Sequence, residues 1–155
     1  MESQAPGGVP AQTELVIGFV AAVGIDLRAI VTTLRSVLSE FDYRCHDLHL
    51  TDQLRALDWD VDLEESPYDE RVWSYMTAGN RLRGAWERDD AFALLAINAI
   101  SVEREKLTGN TEVPADRQAY LLRSLKRTEE ARLLRDVYGS RFVLLSIYSR
   151  HENGV

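Results

Sequence analysis

Between Ala21 and Arg28 the chain reads AAVGIDLR, directly after the apolar run Leu15–Val20 and directly before an amphipathic stretch. A buried strand, a small-residue turn and a helix N-terminus in that order make an anion site, because the first N–H groups of the helix and its dipole face outward from the strand end. Set against G-x-x-x-x-G-K-[ST] from Ala21, Asp26 falls on the second glycine, Leu27 on the lysine and Arg28 on the Ser/Thr. The lysine that neutralises β- and γ-phosphates and the hydroxyl that holds Mg²⁺ are both replaced. The segment is laid out as a P-loop that lacks the groups for phosphoryl transfer. Its expected donors are the backbone N–H groups of Gly24, Ile25 and Asp26, with Arg28 as a phosphate cation.

Further cations fall where they can join that turn. A strand over Arg117–Leu125 ends in Arg123, Ser124 and Lys126, and a last strand over Arg141–Tyr148 ends near Ser149 and Arg150. Arg123 and Lys126 can hold phosphates by charge, or pair with surface acids such as Glu129; the sequence leaves both open. In MTAGNRLR (Met76–Arg83), Gly79 interrupts a helical pattern at about 1 kcal/mol relative to alanine, which points to close packing or ligand access. Tyr75, Arg81 and Arg83 are secondary candidates for a phosphate and a base; a solvated helix face explains the arginines equally. Trp59, Trp73 and Trp86 read as core or contact residues.

No catalytic constellation and no metal site is expected. His46 and His49 lie three apart on a strand and so face opposite sides. The five carboxylates of Asp58–Ser66 lack the glycine of a calcium loop and read as a solvated connector. The lone cysteine, Cys45, excludes an internal disulfide and a multi-cysteine zinc site, and reads as a core thiol.

The elements that must position these residues follow from periodicity. Glu14–Val20 is a continuous apolar run suited to a parallel sheet buried on both faces. Leu27, Ile30, Val31, Leu34, Val37 and Leu38 mark a helix over Asp26–Glu40, capped by Asp26. Tyr43–Leu50 is a shorter, less apolar strand expected nearer the sheet edge, followed by a short helix to Leu57. Helices are expected from Pro67 (capped by Ser66) to Glu87, over Asp90–Leu107 with Gly109 as its stop, and over Thr128–Tyr138 with Gly139 as its stop. The resulting order, β-α-β-α-α-α-β-α-β, gives an α/β three-layer sandwich with a mostly parallel sheet.

The chain has 155 residues, 45% of them hydrophobic, enough for one domain with a core. It divides into a polar leader (1–13), the α/β domain (14–150) and a tail (151–155). The net charge of −7 argues against general nucleic-acid or membrane-surface binding, and no apolar run is long enough to span a bilayer. A soluble, cytoplasmic protein is expected.

Four blocks carry a family resemblance: ELVIGF-x3-GIDL (Glu14–Leu27), YDERVWSYMTAGNRLR (Tyr68–Arg83), RQAYLLRSLKRTEEARLLRDVYG (Arg117–Gly139) and RFVLLSIYSR (Arg141–Arg150). In this order they resemble the N-terminal, P-loop-kinase-like domain of bacterial anti-phage cytidylate deaminases, which act on dCTP or dCMP. Arg117, Ala119, Tyr120, Leu125, Lys126, Glu129, Glu130, Leu134, Arg135, Tyr138 and Gly139 carry the match in the third block, and the Asp-Leu ending of the turn is a habit of that family. Thr128 departs from it, standing where relatives often have proline. The resemblance implies a P-loop nucleotide-kinase-like fold, a nucleotide ligand (deoxynucleotide or ATP), no zinc in this chain, and a deaminase domain or separate deaminase chain as partner. H-x-E and P-C-x-x-C, which hold zinc and the acid/base glutamate in the deaminase half, are absent. The chain is then expected to be an excised or truncated half, or a stand-alone version that acts on a separate partner, with a homo-oligomer left open.

The expected function is a regulatory, nucleotide-sensing domain of an anti-phage deoxycytidylate deaminase system. A nucleoside or nucleotide monophosphate kinase-like enzyme and a protein-interaction module that binds no nucleotide are the alternatives.

Overall fold

The computed structural model describes residues 14–56, 68–123 and 125–150, with the backbone alone for residues 51, 55, 56 and 68–75. The leader, the acidic connector with Trp59, Ser66 and Pro67, Ser124 and the tail lie outside the described residues, as do the side chains of Trp73 and Tyr75.

The elements follow the expected order: β1 (Leu15–Ala21), α1 (Arg28–Glu40), β2 (Arg44–His49), α2 (Leu50–Ala56), α3 (Tyr68–Trp86), α4 (Ala91–Thr108), β3 (Gln118–Arg123), α5 (Thr128–Tyr138) and β4 (Phe142–Ile147). A 3-10 turn, Gly139–Arg141, joins α5 to β4. The four strands form one sheet in the order β2-β3-β1-β4, and every pairing is parallel. The less apolar β2 sits at an edge, as its composition predicts.

Strand alternation divides the core in two. Val16, Tyr120, Leu122 and Phe142 face α2–α5, where Leu54, Leu82, Phe92, Ile100 and Leu134 are buried. Ile17, Phe19 and Leu121 face α1, which contributes Val31 with Leu27, Ile30, Leu34 and Leu38 around it. Helices therefore cover both faces, which an all-parallel sheet requires. Cys45 packs in the α1 cluster, and burial pushes its thiol above the ordinary range, against a weaker pull from Arg35.

Two glycines permit close approaches. A Cβ on Gly18 would stand 2.5 Å from Leu125 Cδ1, so the bare β1 backbone lets the segment after β3 fold over the sheet. A Cβ on Gly79 would meet the Phe92 ring at 3.1 Å. Close packing thus accounts for the interruption in α3, and the Arg83 guanidinium lies over that same ring, 4.9 Å from its centroid. Gly79→Val should lower stability by about 1–3 kcal/mol, read as a shift in the urea midpoint, because the added methyls displace Phe92. An unchanged midpoint would mean that α3 and α4 do not pack as described.

Candidate functional site

β1 and β3 are neighbours, yet the chain leaves them for opposite faces, through α1 from β1 and through α5 from β3. The β1–α1–β2 connection skips past β3, and β3–α5–β4 skips past β1. Such a reversal opens a crevice beyond the carboxyl ends of the two strands, the place where open parallel sheets take ligands. Residues 22–27 form one rim of it and residues 125–127 the other.

On the first rim, the Ile25 N–H donates to the Ala22 carbonyl at 3.2 Å, closing a tight turn around Gly24. Gly24 has φ +91°, a conformation that favours glycine. Helix α1 starts at Arg28, two residues later than its periodicity predicts, because Asp26 stands outside it as a local cap. The Asp26 carboxylate accepts the Arg28 N–H at 2.9 Å and the Arg28 guanidinium at 3.0 Å. The side-chain bond from Arg28, joined by the backbone bond and by Arg123 at longer range, holds the Asp26 carboxyl below its ordinary value. The first α-helical bond runs from the Val31 N–H to the Leu27 carbonyl, which leaves the N–H groups of Ala29 and Ile30 without an acceptor inside the helix. Of the expected donors, the Ile25 N–H is spent on the Ala22 carbonyl; the helix start adds the N–H groups of Ala29 and Ile30, and an internal carboxylate occupies that of Arg28.

Arg123, at the end of β3, is gripped by a carboxylate that sequence reading passed over. Its Nε and Nη2 donate to Asp47 on β2 at 3.0 and 2.5 Å. Arg35 from α1 and His49 also reach Asp47, at 3.8 and 3.6 Å. One carboxylate thus gathers three basic side chains from three elements, and its two arginines alone leave a surplus of positive charge beside the crevice. The only hint in the sequence was an acid in the middle of the inward-facing row of a strand. His46 points to the other face, stacked on Tyr120, with its Nε2 2.6 Å from Gln118 Oε1.

The second rim is built on Glu130, which is fully buried. Its Oε2 accepts the N–H groups of Lys126 and Arg127 at 2.8 and 3.2 Å, and its Oε1 accepts Arg83 Nη2 at 2.7 Å. Glu130 therefore caps its own helix, α5, and ties the 125–127 segment to α3. Among the sequence candidates, Arg83 and Lys126 are brought together through this carboxylate. The Lys126 side chain stays exposed, and Arg81 is exposed on α3. Arg28 and Asp26 share one rim, with Arg123 close enough to act on Asp26.

Among the described residues no group of three or more His, Cys, Asp or Glu could hold a metal. No helix of the described residues is long and apolar enough to cross a membrane. Compared with known proteins, the sequence matches no family model and no curated protein.

Proposed function

We propose that the chain is a P-loop-like, nucleotide-sensing domain of an anti-phage deoxycytidylate deaminase system, binding its ligand in the β1/β3 crevice without performing chemistry. The observation that carries this reading is the switch point itself. An anion-ready helix N-terminus and an Arg/Lys-bearing rim meet there, while Leu27 and Arg28 replace the catalytic lysine and Mg²⁺ ligand and Arg123 stands at the end of β3. The four-block sequence resemblance supplies the nucleotide class. In this reading Asp26 acts as an internal stand-in for phosphate that the ligand displaces from Arg28.

Calorimetry on variants tests it. Asp26→Ala should tighten nucleotide binding about two- to fivefold at low salt, because a competing negative charge leaves the helix N-terminus. Lys126→Ala should weaken it, and the loss should fade as salt rises. Affinity indifferent to both substitutions would remove the crevice as the binding place.

A second reading rests on β4. This edge strand leaves Val143 and Tyr148 exposed, at 41% and 84%, with no charged side chain between Phe142 and Tyr148 to guard the edge. A protein-interaction module would use such a surface, and failure to bind any nucleotide would favour it.

A further inference from the structure

A cavity of about 400 Å³ lies between the end of α3 and the start of α5. Its size falls within the range of small-molecule sites. Arg83 and Arg127 line it, and so do Asn80, Gly84, Glu87 and Asp89.

Several features of this cavity are unexplained by packing alone. Arg83 is nine-tenths buried, and its Nε is buried with no hydrogen-bond partner. Nη2 is engaged by Glu130, while Nη1 makes only a long contact, 3.5 Å, to Asn80 Oδ1. Nη1 is therefore the guanidinium nitrogen left to donate to an acceptor entering the cavity. Arg127 makes no side-chain ion pair among the described residues, whereas Arg88, also on the wall, is held by Asp90 at 2.6 Å.

Glu87 is the second anomaly. The Arg88 N–H bonds to the Arg83 carbonyl at 2.9 Å and the Glu87 N–H to the Gly84 carbonyl at 3.2 Å, closing α3 in the manner that normally puts glycine in the left-handed position. Here Glu87 holds that position, with φ 52°. A side chain kept where glycine fits better places a carboxylate on the cavity wall, beside Asp89.

We propose that this cavity binds a phosphomonoester whose carbon skeleton carries hydroxyl or amino donors. The phosphate oxygens accept from Arg83 Nη1 and from Arg127, and the hydroxyl or amino groups donate to Glu87 and Asp89. Both signs of charge are needed: the arginines select the phosphate, and the two acids reject a bare anion. The cavity shares Arg83 and Arg127 with the second rim of the crevice but uses none of the residues 22–28.

Gly84 makes the test clean. It lines the cavity, and no atom lies within 4 Å of where its Cβ would stand, so Gly84→Leu fills the space without a clash and replaces a helix glycine. The full chain would be titrated by calorimetry with inorganic phosphate, ribose 5-phosphate and dCMP. Ribose 5-phosphate should bind more tightly than inorganic phosphate; dCMP binding tighter still would identify a nucleotide, and equal affinity a sugar phosphate. Gly84→Leu and Arg127→Glu should each weaken binding at least about tenfold, with the Gly84→Leu melting temperature unchanged or higher. The proposal is overturned by no binding up to about 10 mM, by equal affinity for inorganic phosphate, or by undiminished binding in Gly84→Leu.

Discussion

Glu130→Ala should lower the unfolding free energy by about 3–5 kcal/mol, a large part of the roughly 5–15 kcal/mol that holds a domain of this size together. The carboxylate has no solvent contact and answers three donors: the N–H groups of Lys126 and Arg127 and the Arg83 guanidinium. Truncation strands a nine-tenths-buried arginine without its counter-ion and leaves two amides without acceptors. Glu130→Gln should recover little. Turning the amide oxygen toward Lys126 and Arg127 points its NH₂ at Arg83, and the opposite orientation opposes two backbone donors. Glu129, one residue earlier and exposed, is the control, and Glu129→Ala should change stability by no more than about 0.5 kcal/mol. Urea denaturation reads both. A Glu130→Ala midpoint close to wild type would show that α3 and the 125–127 segment are not joined through this side chain.

The second large effect lies at the other end of the sheet. Glu14 is buried at the entry to β1 and accepts from Arg104 Nε at 3.0 Å, from Arg104 Nη2, and from the Ala115 N–H at 2.9 Å. It joins the start of β1 to the last turns of α4 and to the segment that leads into β3. Arg104 in turn lies over the Tyr138 ring, 5.7 Å from its centroid. Burial pushes the Tyr138 hydroxyl up to about 12 and raises that of Tyr120 further, so both phenols stay neutral and Glu14 faces a single strong cation. Glu14→Ala and Arg104→Ala should each lower stability by about 3–5 kcal/mol, since either leaves a buried charge alone. Arg104→Lys should fall between them and wild type, because an ammonium keeps the charge but loses the two-toothed grip on the carboxylate. Because the pair stands at the amino ends of the strands, ligand affinity of the folded fraction should not change. Equal stability of Arg104→Ala and wild type in urea would contradict this assignment.

These two ion pairs also mark the limit of what the sequence discloses. Periodicity locates every strand and helix to within a few residues, because the hydrophobic rows that define them are local. At α1 the bound shifts because of a local cap: Asp26 ends the turn and does not begin the helix. Gly79 announces a close contact in α3, and the Phe92 ring supplies it. Partners distant in the chain are another matter. Glu14 and Arg104 are 90 residues apart, Asp47 and Arg123 76, and Arg83 and Glu130 47, and nothing in a single sequence pairs them. The crevice was legible as a turn with cations at the next strand end. Its electrostatics were not, since they depend on which acids reach those cations. Asp47 and Glu130 take up Arg123 and Arg83, Asp26 takes up Arg28, and the Lys126 ammonium is left exposed.

Nucleotide sensing without chemistry is tested most directly by calorimetric titration of the chain with dCTP, dCMP, dTTP, ATP and GTP, each with and without Mg²⁺. The account predicts micromolar binding of one deoxynucleotide, unaffected by Mg²⁺, because Arg28 replaces the metal-holding hydroxyl and pairs with Asp26, the one carboxylate of the turn. Silence across the panel, or binding that requires Mg²⁺ and ends in phosphoryl transfer, would contradict it.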